Sequence, residues 1–144
     1  MNTWRAVLTV SNSDSDKTVL NGLLNFNIGK AGYYDSRPLS IRILRDEDDS
    51  CLGGLTGRTY WGWLYVDALW VREEQRGKGL GTELMRLAEK EAQSRGCHGA
   101  YLDTFDFQAR SFYEKLGYSI FGELEDFPEE HTRYFMKKRF DILE

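Results

Sequence analysis

The sequence predicts an α/β fold, a mixed central sheet of six to seven strands flanked by helices, and three observations predict it. The run Leu64-Tyr65-Val66-Asp67-Ala68-Leu69-Trp70-Val71 has the length and the β-branched and aromatic content of a buried strand. After it come the glycine-rich turn Gln75-Arg76-Gly77-Lys78-Gly79-Leu80-Gly81-Thr82 and a helical pattern on Leu80, Leu84, Leu87 and Ala88, then a second apolar run, Ala100 to Phe105. A helix joining two such strands makes them parallel neighbours. Third, Pro38 to Arg45 alternates, with Leu39, Ile41 and Ile43 on one face, and the chain returns through the glycine-rich run Cys51 to Gly57, as a hairpin would.

Taken in order, Trp4 to Val10 alternates loosely and reads as a first strand, ending in the polar run Ser11 to Asp16 with its several possible helix caps. Lys17 to about Ile28 carries Leu20, Leu23 and Leu24 at helical positions, with Gly29 and Gly32 to close the helix and Tyr33 and Tyr34 in the loop beyond. The hairpin strands and the central strand follow, with Trp61-Gly62-Trp63 leading into the latter. The helix from Leu80 ends where Gly96 supplies a left-handed cap. Asp106 to Leu116 is a short helix, and Tyr118 to Leu124 and Thr132 to Phe140 are the last strands. The order β-α-β-β-β-α-β-α-β-β, without repeat or linker, fits one domain over residues 1–144.

Composition narrows the function classes. A net charge of -4 argues against a nucleic-acid partner, which a basic face would attract. No apolar run approaches the ~20 residues of a membrane span, and Met1 to Arg5 lacks the apolar core of a secretory signal, so no membrane partner and a cytoplasmic location are expected. Cys51 and Cys97 form no CxxC or Cys/His metal spacing, so reduced thiols and no metal are expected. The acidic groups Asp46-Glu47-Asp48-Asp49 and Glu123, Glu125, Asp126, Glu129 and Glu130 read either as solvated loop charge or as an electrostatic lure for a cationic amine.

The turn at Gln75 to Thr82 is suited to an anion. Its glycines leave backbone N–H groups uncovered at the positive end of the following helix, with Arg76 and Lys78 between them. A P-loop is excluded because Lys78 precedes Gly79 instead of Ser or Thr, and a dinucleotide fingerprint fails because the third glycine comes one residue early. The pattern Arg-x-x-Gly-x-Gly of Arg76, Gly79 and Gly81, after a strand ending in Val71, resembles the acetyl-CoA-binding motif of the GNAT superfamily of N-acetyltransferases. Ala109-Arg110-Ser111-Phe112-Tyr113-Glu114-Lys115-Leu116-Gly117-Tyr118 resembles that family's later helix, which carries a tyrosine and ends at Gly-Phe/Tyr. The two segments span Leu64 to Tyr118.

The resemblance implies acetyl-CoA as cosubstrate, a pantetheine arm entering a gap between splayed parallel strands, and cofactor contacts from Leu69, Trp70, Val71, Gln75, Arg76, Gly77, Lys78, Gly79, Leu80, Gly81 and Thr82. A bulge near Leu69 would help to open the strands. The implied reaction is acetyl transfer by direct attack of an amine on the thioester, and it requires a base, a donor to the carbonyl oxygen and an acid for the departing thiolate. The resemblance assigns the acid to Tyr113, which by pattern alone would be a core residue beside Phe112 and Leu116. Many relatives carry Asn where this chain has Asp106, and an N-cap is the simpler role for that aspartate.

Asp67, the only acid within the central strand, is the candidate base. Alternation places it with Tyr65, Leu69 and Val71, where partial desolvation would raise its pKa; the alternative is a structural carboxylate paired with an arginine. Asp103 is a second candidate base and substrate contact, and His98 and His131 are weaker ones, His131 lying near a loop that could touch substrate. Tyr33 and Tyr34 either line the acceptor pocket or simply pack. The expected function is transfer of acetyl to a primary amine, a small cationic acceptor, by a monomer or homodimer. The alternatives are a protein lysine or N-terminal acetyltransferase and a non-catalytic acetyl-CoA-binding sensor.

Overall fold

A computed structural model describes residues 3–10 and 13–141 and divides into two compact units, one ending at Tyr34 and one beginning at Asp35. The first unit holds helix α1, Ser13–Ala31, longer at both ends than the apolar spacing suggested. Gly29 lies inside it instead of closing it; Gly32, at φ 89°, follows the last turn and donates its N–H to the Ile28 carbonyl. The strand expected over Trp4 to Val10 is absent, because no ladder pairs this segment among the described residues and an alternating pattern becomes a strand only through its partner. The loop expected from Ser11 to Asp16 falls partly outside the described residues, and its described part already belongs to α1.

The second unit is a six-stranded sheet in the order β1-β2-β3-β4-β6-β5, with β1 Arg37–Leu44, β2 Cys51–Tyr60, β3 Trp63–Val71, β4 Gly99–Phe105, β5 Ser119–Glu125 and β6 Thr132–Arg139. As the crossover predicts, β3 and β4 are the parallel pair, and every other pairing is antiparallel. The alternation of β1 turns Leu39, Ile41 and Ile43 to the core. Helix α2, Leu80–Ser94, crosses from β3 to β4 and presses Leu84, Met85, Ala88 and Ala92 onto a sheet face made by Leu55, Leu64, Val66, Ala100, Leu102 and Met136. Burial of this apolar set, at about 25 cal/mol per Å2, is what holds helix to sheet. Gly96 follows α2 at φ 83°, as the cap requires.

The central strand departs from simple alternation. Gly57 pairs with Val66 and Thr56 with Ala68, so Asp67 is an extra residue with no partner on β2. One extra residue reverses the side-chain phase beyond it. Leu64 and Val66 before the bulge, and Leu69 and Val71 after it, all pack on the α2 side, while Tyr65 lies on the other face against Tyr101. The shared face expected for Tyr65, Leu69 and Val71 is therefore corrected: the bulge, two residues before Leu69, divides them.

Candidate active site

Pairing between β3 and β4 runs from Trp63 with Gly99 to Val66 with Leu102 and then stops, although both strands continue. The two strands splay at the bulge and open a cleft of about 950 Å3. Val66 to Val71 form one wall, Leu102 to Phe105 the other, and the glycine turn and Tyr113 complete it.

The turn begins with a single 3-10 turn, Glu73–Gln75, and passes through Gly77 and Gly79, both at positive φ (77° and 83°), before α2 starts. Side chains rarely adopt this backbone, and an added Cβ at either glycine would meet nothing within 4 Å. The glycines therefore serve the path of the chain and an open cradle above it. Gly79 is the residue before α2 and provides no side-chain cap, which leaves the first N–H groups of the helix turned towards the cleft without such a partner. At Gly81 the constraint is different: a Cβ there would approach the Phe112 ring at 3.2 Å, and the ring would have to give way by a few tenths of an ångström. The Arg76 side chain donates through Nε to the Val71 carbonyl at 3.2 Å, fixing the guanidinium beside the end of β3. Every cofactor residue expected from the sequence lines the cleft except Lys78, which is exposed. An anionic, elongated ligand fits this arrangement of open backbone donors at one end and a slot between strands at the other.

Tyr113 stands on helix α3, Arg110–Lys115, and lines the cleft while only 8% exposed. Burial, helped by the charge of Asp103, pushes its phenol up to about 12, so it holds its proton at neutral pH. No hydrogen bond to a described residue engages its hydroxyl. This is a free donor against the cleft wall.

The carboxylates divide by surroundings. Asp67, carried out of the ladder by the bulge, lines the cleft but is exposed, so the expected desolvation is absent. It makes no ion pair or hydrogen bond to a described residue. Asp103 also lines the cleft, but Arg133 holds its Oδ1 at 2.7 and 2.9 Å, and the Tyr65 hydroxyl donates to Oδ2 at 3.4 Å. Burial, together with Asp103 and Asp67, raises the Tyr65 phenol. Asp106 does not cap α3; the residue before that helix is Ala109, and the Asp106 carboxylate instead accepts from the Thr132 N–H at 2.9 Å and pairs with His131 Nδ1 at 2.8 Å. The turn before α3 makes that long-range bond geometrically available, and the Thr132 N–H, with His131, holds the carboxyl below its usual range.

Of the remaining sequence candidates, His131 touches the cleft only through its T-shaped contact with Phe107. His98 lies at the far end of β4, bonded to the Gly62 carbonyl through its backbone N–H. Tyr33 and Tyr34 belong to the first unit, Tyr33 exposed and Tyr34 half-buried. The sequence reading missed Phe107, Gln108 and Arg133. Gln108 Oε1 accepts from the Phe105 N–H at 3.1 Å and pins the turn at the cleft rim. Nothing local marks these residues, since their partners are distant in sequence or appear only once the turn is formed. Among the described residues no group of three His, Cys, Asp or Glu lies placed to hold a metal, and no helix is long and apolar enough to cross a membrane.

Known proteins resemble this chain in sequence and in fold. The sequence profile of the acetyltransferase (GNAT) family matches residues 11–118. An acetyltransferase of Agrobacterium fabrum, Atu2258, is 39% identical over 131 residues, covering 91% of this chain and 95% of its own length. The blasticidin-S acetyltransferase of Streptomyces morookaense is 38% identical over 107 residues, 72% of this chain and 79% of its own. The crystal structure of an acetyltransferase from Bacillus cereus superposes with a TM-score of 0.86 at 30% identity, over 94% of this chain and 98% of that one. The protein is therefore a member of the GNAT family of acetyltransferases.

Proposed function

We propose that this acetyltransferase moves an acetyl group from acetyl-CoA to the primary amine of a small cationic acceptor. The observation that carries the reading is the convergence on one cleft of an open backbone anion cradle, a slot between splayed strands and a buried, protonated Tyr113. The residues fit the donor: Gly77, Gly79 and the first turn of α2 would hold its pyrophosphate, and the backbone of β3 beyond Asp67, unpaired on its β4 side, would flank its pantetheine arm. Acetyl-CoA, when bound, supplies an activated thioester carbonyl.

The chain's own groups then have distinct tasks. Asp67 takes a proton from the acceptor ammonium, directly or through water, since it is the carboxylate on the cleft wall without an ion pair. A backbone N–H near Leu69, freed from the β4 ladder, donates to the carbonyl oxygen as charge builds there. Tyr113 donates its proton to the departing sulfur, and its high pKa keeps it loaded for this through the neutral range. The small cationic acceptor is supported by the net charge of -4 and by the similarity to an enzyme named for blasticidin-S.

The test is release of free thiol from acetyl-CoA, followed with a thiol reagent across amino acids, polyamines, aminoglycosides, aryl amines and lysine peptides. Release that depends on a small amine is expected. Release with peptides alone would assign a protein acceptor, and binding of acetyl-CoA with no release from any amine would leave a sensor.

A further inference from the structure

We infer that Phe105, Phe107 and Phe127 form an aromatic shelf at the rim of the cleft that stacks the planar ring of an aryl-bearing cationic amine; this rests on the transferase reading and names its acceptor class. Phe105 ends β4, Phe107 lies in the turn after it, and Phe127 comes from the loop between β5 and β6. The Phe105 and Phe107 rings stack at 5.1 Å with only 15° between their planes, and Phe127 lies 5.7 Å from Phe105. Such offset stacks gain beyond simple burial, yet this one stops short: Phe107 is 56% and Phe127 41% exposed.

The inner part of the shelf is already saturated. The Arg133 guanidinium lies over Phe105 and Phe127 at 5.4 and 4.9 Å, and its charge is neutralised by Asp103. The edge contact of His131 at 5.0 Å, held in turn by Asp106, fixes the orientation of Phe107. Stacked on Phe105 and in a T-shaped contact with His131, Phe107 still leaves more than half of its surface open to a further ring. Both Phe105 and Phe107 line the cleft, on the wall shared with Asp103. The charge around the shelf selects the kind of ring. The segment from Phe121 to His131 carries Glu123, Glu125, Asp126, Glu129 and Glu130 and no lysine or arginine, so a cation is drawn to this rim and an anion repelled.

The experiment uses phenethylamine and cyclohexylethylamine, which carry the same amine and chain on an aromatic and a saturated ring. Each is titrated calorimetrically into the full chain saturated with coenzyme A. The wild-type protein should bind phenethylamine about fivefold more tightly, a ratio that Phe107→Leu should abolish and Phe107→Tyr should keep. Equal affinities in the wild type, no binding of either amine, or a preference that survives Phe107→Leu would overturn the shelf. A matching loss of coenzyme A affinity in Phe107→Leu would overturn it too, by assigning the ring to the cofactor's adenine. Thiol release from acetyl-CoA with the same two amines, measured on the protein without added coenzyme A, separates this inference from the one it rests on: preferential binding without release would keep the shelf and end the transferase reading, whereas equal turnover of both amines would do the reverse.

Discussion

Three ionisable side chains on the cleft wall, Tyr113, Asp67 and Asp103, differ in what surrounds them, and their mutants should differ accordingly. Tyr113→Phe should lower kcat about a hundredfold with coenzyme A affinity unchanged, since the hydroxyl is assigned to the leaving sulfur; a fall in affinity instead would make Tyr113 a binding residue. The same substitution should show in alkaline stability. The Tyr113 phenol is raised from 10.0 to about 12 in the fold, so the unfolded chain loses this proton first and stability falls as pH rises across that window. Tyr113→Phe should remove up to about 3 kcal/mol of that fall, measured by denaturant unfolding at stepped pH. Asp67 and Asp103 contrast with each other. Asp67→Asn should reduce kcat/KM at least tenfold with little change in Tm, because the carboxylate is exposed and unpaired. Asp103→Asn should lower stability by about 1–3 kcal/mol, because it strips Arg133 of its partner. The opposite pattern would move the base to Asp103.

At the scale of elements, the decisive feature is the bulge that ends the β3–β4 pairing. Gly57 sits opposite it, and a Cβ there would run into the Tyr65 backbone carbonyl. Gly57→Ala should therefore cost about 2 kcal/mol or more and weaken coenzyme A binding at the same time, since the strand cannot keep both its bulge and its register. A folded Gly57→Ala protein with unaltered affinity would show that the splay does not depend on this contact. The glycine turn was legible because its signals are local: alternate glycines, a strand before and a helix after. The bulge was not, because it depends on which residue of β2 meets which residue of β3, and no period within one strand records that.

For the whole molecule, a ligand that binds only the folded state must stabilise it. Coenzyme A at a hundred times its Kd adds about 2.7 kcal/mol, which for a chain of this size is a rise in Tm of roughly 5–10 °C. Differential scanning fluorimetry should show that rise, and its absence at saturating concentration would separate the cleft from the cofactor. The order of elements, the parallel pair, the hairpin and the family resemblance all follow from residues near one another in sequence, where period, turn chemistry and motif spacing act. Even so, Trp4 to Val10 carries a strand-like pattern and forms no strand, since a ladder needs a second strand to complete it. The sequence alone marked out the glycine turn, whose signals are local spacing, and Tyr113, through the family resemblance; that Tyr113 is buried against the cleft came from the fold. Only the tertiary structure decided that Asp103 is tied to Arg133, that Asp67 is turned out by a bulge and that three phenylalanines meet at the cleft rim. Those outcomes depend on which residues of separate strands and loops are brought side by side, from Gly57 opposite Val66 to Arg133 on Asp103, and no period within one segment records that pairing.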